Sequence, residues 1–333
     1  MEEEIVFYDR KMGDDLVKIL SNDGYYKWLI PYVKNHPELD FQTGHDAKSG
    51  RSWFSIYKGT GRIFTISSSR GGKISSPKAD KKYMSLSDAI FNRGKIDEFT
   101  FNEYLKRIEN EPKLDRYYIS KLGEKEGYYQ TLISRRYTIN TQYDDDFIIA
   151  DKEMVIGFKD EIEKKQWNDP IENDISNNIV ELRKQYVKPL PKIIQSKYGE
   201  FDFLGVKWNG DLLIMELKQD DASKTALSPI QVGYYYKQLK KLIEQDKKFF
   251  DKLIEMVKQK VDLGLIRIPN GKSLPKQFSG NIDTCVIIGN ERGLSSRMCE
   301  RYRIVRDLFM PDMVAYKCKD HTGSIVECDL LNK

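Results

Sequence analysis

Histidine and cysteine are scarce in this chain, and the few present do not cluster. His36, His45 and His321 are too few for a histidine-rich metal centre. Cys285, Cys299, Cys318 and Cys328 form no CxxC pair and have no histidine pair nearby. That argues against zinc and for free, structural thiols. No uninterrupted apolar run approaches the ~20 residues of a membrane helix. The opening residues, MEEEIVFYDRK, are acidic and lack the basic start and apolar core of a signal peptide. The expectation is a cytoplasmic protein without membrane contact. Internal repeats and low-complexity tracts are missing as well.

What remains is ordinary soluble composition: 333 residues, 32% charged and 40% hydrophobic. That length suits two domains, one commonly taking ~100–200 residues. The net charge of +4 hides 55 basic residues against 51 acidic ones, which is compatible with nucleic acid binding without demanding it.

Residues 1–150 read as an α+β domain for recognition, regulation or assembly. A helix is expected around Asp14–Ile30, then strands at Arg51–Tyr57 and Gly61–Ile66 joined by a hairpin turn in KGTGR. The Gly-, Ser- and Lys-rich segment Ser67–Lys82 reads as a mobile basic loop. Helical sequence around Leu86–Ile108 precedes strands at Thr131–Ile139 and Phe147–Phe158, with Asp144, Asp145 and Asp146 as a turn between them.

Residues 151–333 read as a second domain. Asp169 and Pro170 suit an N-cap and first turn, followed by an apolar stripe of Ile171, Ile175, Ile179, Leu182 and Tyr186 that Pro189 and Pro191 close. Ser228 and Pro229 repeat that start signal before a Lys-rich amphipathic stretch to about Leu263. A strand at Asp283–Asn290, a helix at Arg297–Phe309 and a strand at Met313–Lys319 complete the order. Helices alternating with strands describe an α/β fold around a mixed sheet.

Between the two proline signals lies EFDFLGVKWNGDLLIMELKQ, Glu200 to Gln219. Both strands of this hairpin are apolar on both faces, as in a covered central strand. Asp202, Glu216 and Lys218 therefore need a reason, because unpaired buried charge is costly. A salt bridge is one answer. A divalent cation is another, since carboxylates and a backbone carbonyl suit Mg²⁺. Register decides whether the acids can meet. A two-residue Asn209-Gly210 turn would put them on opposite faces. A three-residue Trp208–Gly210 loop, with Gly210 left-handed, would set Asp202 opposite Glu216 with Lys218 on the same face. Asn-Gly serves either turn.

Asp202, then thirteen residues, then Glu216-Leu217-Lys218 resembles the D…(D/E)xK signature of the PD-(D/E)xK, or restriction-endonuclease-like, nuclease superfamily. Phe201 stands where the motif name has proline. The resemblance covers residues 151–333 and implies a restriction-endonuclease-like mixed central sheet flanked by helices. It further implies a metal-dependent DNA endonuclease in which Asp202 and Glu216 bind Mg²⁺ (or Mn²⁺) and Lys218 orients or activates water. Restriction or antiviral defence is the setting the family suggests. Gln231 and Tyr235 resemble the QxxxY element of RecB-type members, which would bring Gln231 into the catalytic set. Ser228 and Gln231 equally suit a capping box, and Tyr235 the apolar stripe. Glu172, or more weakly Glu181, is a candidate for the additional acid many members carry on the preceding helix. DNA is the expected partner, with Arg297, Arg301, Arg303, Arg306 and the Ser67–Lys82 loop as candidate phosphate contacts, and a homo-oligomer is left open. The alternative is a non-catalytic DNA-binding protein that retains the nuclease fold.

Overall fold

The computed structural model describes residues 6–46, 48–91, 95–120, 123–185, 200–219, 222–291 and 294–333. The chain opens with β1 (Val6–Phe7), α1 (Asp14–Leu20) and α2 (Leu29–Asn35). The helix expected over Asp14–Ile30 is thus broken, because Gly24 packs so tightly on the Ile19 carbonyl that a Cβ there would lie 2.3 Å from it. The meander β2 (Leu39–Asp46), β3 (Arg51–Lys58) and β4 (Gly61–Ser68) forms a three-stranded antiparallel sheet. It packs on α1 and α2, and on α3 (Met84–Phe91) and α4 (Glu98–Glu109), around Phe54, Phe64 and Phe101. The segment expected as a mobile loop instead folds back along β4. Thr65 bridges Lys78, Ser68 bridges Ile74, and the Asp80 amide donates to the Arg62 carbonyl. Backbone pairing along the strand outweighs its loop-like composition.

A short helix α5 (Pro112–Asp115) and a small hairpin, β5 (Ile119–Ser120) and β6 (Gly123–Glu124), lead to α6 (Glu126–Arg136). A strand was expected over Thr131–Ile139, and most of it is this helix. Strand propensity is a weak prior that packing overrides. Here Glu126 sits in the first turn and Arg135 and Arg136 in the last, as the helix dipole favours. Arg135 is buried and donates to the carbonyls of Val33, Lys34 and Leu39, which ties α6 to the three-stranded sheet. Arg136 forms a buried ion pair with Asp145, so the aspartate run is a turn with one structural carboxylate.

The larger sheet has six strands. It contains β7 (Phe147–Val155), β9 (Glu200–Lys207), β10 (Leu212–Lys218), β11 (Ile282–Ile288), β12 (Val314–Lys319) and β13 (Ser324–Glu327); β8 (Gly157–Phe158) pairs only with β1. Its order is β13-β12-β11-β10-β9-β7, with β10, β11 and β12 mutually parallel and the other pairs antiparallel. The fold is therefore mixed α/β with a mixed central sheet. One face carries Leu204, Val206, Leu212, Ile214 and Val286 beneath α7 (Glu161–Gln185), α8 (Ala222–Gln245), α9 (Phe249–Asp262) and α10 (Ser296–Phe309). The other carries Phe203, Leu213, Met215 and Leu217 beneath α6. Each such side chain contributes ~1.5–3 kcal/mol by burial. A last turn of helix is α11 (Asp329–Asn332), and all four cysteines are buried.

Two proline signals read differently in three dimensions. Asp160, not Asp169, caps α7 by accepting the Ile162 and Glu163 amides, and Pro170 lies inside the helix between buried Trp167 and Ile171. Likewise α8 starts at Ala222 and runs through Pro229, with Ser228 donating to the Thr225 carbonyl rather than capping. Packing on both sides of each proline offsets the ~3 kcal/mol that an interior proline costs. Ile171, Ile175 and Leu182 are buried as the stripe requires, while Tyr186, Pro189 and Pro191 lie outside the described residues. The division expected at residue 150 falls inside β7.

The two sheets are joined through β7. Lys152 reaches Asp40 of β2 at 2.9 Å, both buried, and Asp151 next to it is held by Arg10, Lys260 and the Tyr8 hydroxyl. Breaking a buried ion pair strands a charge, at roughly 3–5 kcal/mol. Asp40→Ala should lower stability by about that amount, read as a shifted urea midpoint, and Asp40→Asn by less.

Candidate active site

The hairpin adopts the three-residue loop. Leu212, Leu213, Ile214 and Met215 pair with Val206, Gly205, Leu204 and Phe203, a register that sets Lys207 against Asp211 and Asp202 against Glu216. Gly210 has φ +94°, and a Cβ there would lie 2.5 Å from the Gln277 carbonyl oxygen, so glycine is required twice over. The Gly210 amide donates to the Lys207 carbonyl, and the Asn209 side chain bonds Asp211 in both directions.

Where the ladder ends at Met215 and Phe203, a carboxylate takes over: the Leu217 amide donates to Asp202 Oδ2 at 2.7 Å. Glu216 and Lys218 alternate with Met215 and Leu217, which belong to the α6 face, so they point toward α8. Glu216 is 3% and Lys218 9% exposed, and the Lys218 ammonium donates to Glu216 Oε1. Glu216 Oε2 is buried with no hydrogen-bond partner among the described residues.

The charges here are not in balance. Burial raises the Glu216 carboxyl to about 8, Asp202 and Glu126 push the same way, and Lys218 only partly offsets them. Burial also raises Asp202, against the pull of Lys218 and the Leu217 amide, and Glu153 adds to the rise. For Lys218, burial favours the neutral amine, yet Glu216 and Asp202 outweigh it and the ammonium titrates above its ordinary value. One lysine thus serves at least two acids.

Gln231 is bonded to Tyr235 on its own helix. Its amide donates to the Tyr235 hydroxyl at 2.9 Å, and that hydroxyl donates to the Glu200 carbonyl, while the Tyr235 ring packs on Phe201. Together they hold the first residues of β9, two positions before Asp202. These contacts tie α8 to the strand that carries Asp202. Glu172 is exposed on α7 and acts on Tyr234, while Glu181 makes a surface pair with Lys184.

Two other acids come close, and sequence reasoning missed both. Glu126, at the start of α6, has part of its side chain in water, but its carboxyl is raised by desolvation first and by Asp202 second. Reading Thr131–Ile139 as a strand hid the helix that carries it. Glu153 follows a bulge in β7 between Ile149 and Asp151, in a register that sets it beside Asp202. Its φ of +50° is a conformation that costs a non-glycine residue roughly 1–3 kcal/mol. The signal was present: Asp151, Lys152 and Glu153 interrupt an apolar strand just as the hairpin carboxylates do.

Of the four arginines on α10, Arg303 and Arg306 donate to the Leu330 and Leu331 carbonyls at the chain's last helix. They are structural, which leaves Arg297 and Arg301 of that set. A cavity of about 910 Å³ opens near the amino ends of β11 and β12, at the opposite end of the strands from Glu216 and Lys218. Among the described residues no three His, Cys, Asp or Glu side chains converge on a metal position, and no helix is long and apolar enough to cross a membrane. No protein-family model, curated protein or solved structure matches this chain.

A raised carboxyl has a signed consequence. Between the ordinary glutamate value of 4.5 and about 8, the folded protein keeps a proton that the unfolded chain has released. The stability this provides is complete below the lower value and lost as pH rises through the upper one. In EDTA, the wild-type protein should lose about 1 kcal/mol or more relative to Glu216→Gln between pH 5 and pH 8, read from urea midpoints. Parallel pH profiles would show that Glu216 is not desolvated as described.

Proposed function

We propose that this chain is a divalent-metal-dependent nuclease of the PD-(D/E)xK type that hydrolyses phosphodiester bonds in DNA. The observation that supports it is the hairpin register, which sets Asp202 opposite Glu216 with Lys218 on the same face at the strand ends. The donor set suits Mg²⁺ or Mn²⁺: two carboxylates made proton-hungry by burial, one with an orphaned oxygen. With only two acids, the remaining positions fall to a backbone carbonyl, water and phosphate, as is usual for Mg²⁺. When bound, the cation lowers the pKa of water and offsets charge on the phosphate. The chain's own residues do the rest. Lys218 stays protonated beside Glu216 and orients water by donating to it. Tyr235 and Gln231 fix the strand that carries Asp202. Restriction or antiviral defence is the setting that analogy suggests.

The contact between Lys218 and Glu216 favours a second reading, in which the charges are a structural ion pair. Asp202 speaks against it, because that pair leaves its charge unbalanced. Melts with EDTA or excess Mg²⁺, alongside nicking of supercoiled plasmid, separate the two. Metal at a hundred times its Kd should stabilise the wild type by ~2.7 kcal/mol. Asp202→Asn should be at least as stable without metal, yet lose both the metal response and cleavage. Glu216→Ala and Lys218→Ala should lower cleavage by roughly a hundredfold or more while remaining folded. A destabilised Asp202→Asn beside a metal-indifferent wild type would establish the ion pair.

A further inference from the structure

Lys218 is followed by Gln219, whose side chain alternates away from α8 to the α6 side of the sheet. There it lies over Gly289, at the carboxyl end of β11, whose amide donates to the Lys218 carbonyl at 3.0 Å. A Cβ on Gly289 would meet Gln219 Oε1 at 2.2 Å and the Tyr129 ring at 2.7 Å, so the three groups occupy one tight junction. Both Gln219 Oε1 and Nε2 are buried, and neither has a hydrogen-bond partner among the described residues. A buried amide left without partners on both atoms is a standing cost, which calls for a ligand able to pair with it.

Space for such a ligand adjoins the junction. A cleft of about 670 Å³ is lined by Tyr128, Tyr129, Gly289, Asn290, Lys317 and His321, among others. It opens outside the carboxyl ends of the strands, where α/β sheets commonly bind ligands. Its walls are aromatic: the Tyr128 and Tyr129 rings meet edge to face, and His321 accepts from or donates to the Tyr128 hydroxyl. The Asn290 amide lies 3.5 Å from the Tyr129 hydroxyl, and Lys317 adds positive charge beside Glu291. Helix α6 connects cleft and acids, because Glu126 precedes Tyr129 by one turn and its carboxyl is within the influence of Asp202 and Lys218.

We infer that this cleft takes one unpaired nucleobase of the substrate strand, stacked against tyrosine and histidine, with its edge read by the Gln219 and Asn290 amides. This rests on the nuclease reading for the identity of the strand, and it adds that the enzyme acts where a base is free to leave the stack. Aromatic stacking tolerates any base, whereas a side-chain amide can pair both donor and acceptor on a base edge, as adenine offers. The backbone turns around the strand end, leaving its phosphate on the α8 side and its base on the α6 side.

The test uses the full chain in EDTA, where nothing is cut, and two nonameric DNA backbones with equal phosphates. One is abasic throughout; the other carries a single central 2-aminopurine. The single-base probe should bind about tenfold more tightly, the scale of one stacked base, with a change in 2-aminopurine emission. Gln219→Leu keeps the volume and removes the orphaned amide. It should melt at the same or a higher temperature and bind the single-base probe less tightly than wild type does. His321→Ala, an exposed change, should weaken the same preference without affecting the abasic probe. Equal binding of both probes by the wild type would overturn the base cleft and leave the nuclease reading standing. Binding of neither would overturn both. Undiminished preference in Gln219→Leu would remove the amide's reading role.

Discussion

Everything in the larger sheet is arranged around a shortage of positive charge at the ends of β9 and β10. Asp202 and Glu216 face each other across the hairpin, Glu153 and Glu126 lie close by, and Lys218 is the ammonium bonded to Glu216 within the sheet. Such a cluster is a poor way to hold a protein together, since apolar residues of the same volume would do it better. The surrounding structure bears that cost: apolar layers cover both faces, and the hairpin register leaves little freedom for the acids to move apart.

The three-stranded sheet contributes more than bulk. It grips β7 through the Lys152–Asp40 pair, while Arg10 and Lys260 hold Asp151 one residue away. Those contacts flank the bulge and hold Glu153 at a backbone angle that it would not choose alone. Arg135 makes a second grip, on the carbonyls at the end of α2 and the start of β2. A third is steric. Gly127 of α6 accepts the tip of the β3–β4 hairpin so closely that a Cβ would lie 2.5 Å from the Thr60 amide nitrogen. Glu126 is the residue immediately before it.

The elements legible in the sequence were those whose pattern and packing agree. Alternating or continuous apolar residues located β3, β4, β7, β9, β10, β11 and β12, and the 3.6-residue stripe located α7, while the single Lys-rich stretch to Leu263 proves to be two helices, α8 and α9. The grouping of Asp202, Glu216 and Lys218 was legible because charge in a doubly covered strand has no cheap explanation. Where local and tertiary signals conflict, reading from sequence failed. Thr131–Arg136 looks like a strand, yet it is helical, with Arg135 and Arg136 bonded to buried partners in its last turn. Pro170 and Pro229 look like helix starts, but each is flanked by side chains that pack the helix through it. β13 is four residues long and recognisable only by its partner. Gln231 and Tyr235 lie one turn apart and are bonded to each other, while the bond from Tyr235 to a backbone carbonyl is something no spacing rule reveals.

The pairing of β1 with β8 has a consequence for synthesis. Val6 and Phe7 meet Phe158 and Gly157, and the Met12 backbone is bonded in both directions to the Gln259 side chain. Arg136 in turn donates to Ser324, on the last strand. The β1–β8 pairing needs the chain only as far as Phe158, whereas the contacts to Gln259 and Ser324 cannot form on the ribosome until those residues have emerged, and closing such long loops is slow. The hairpin that pairs Asp202 with Glu216 is therefore made before the sheet around it is complete, because β12 and β13 are added only later.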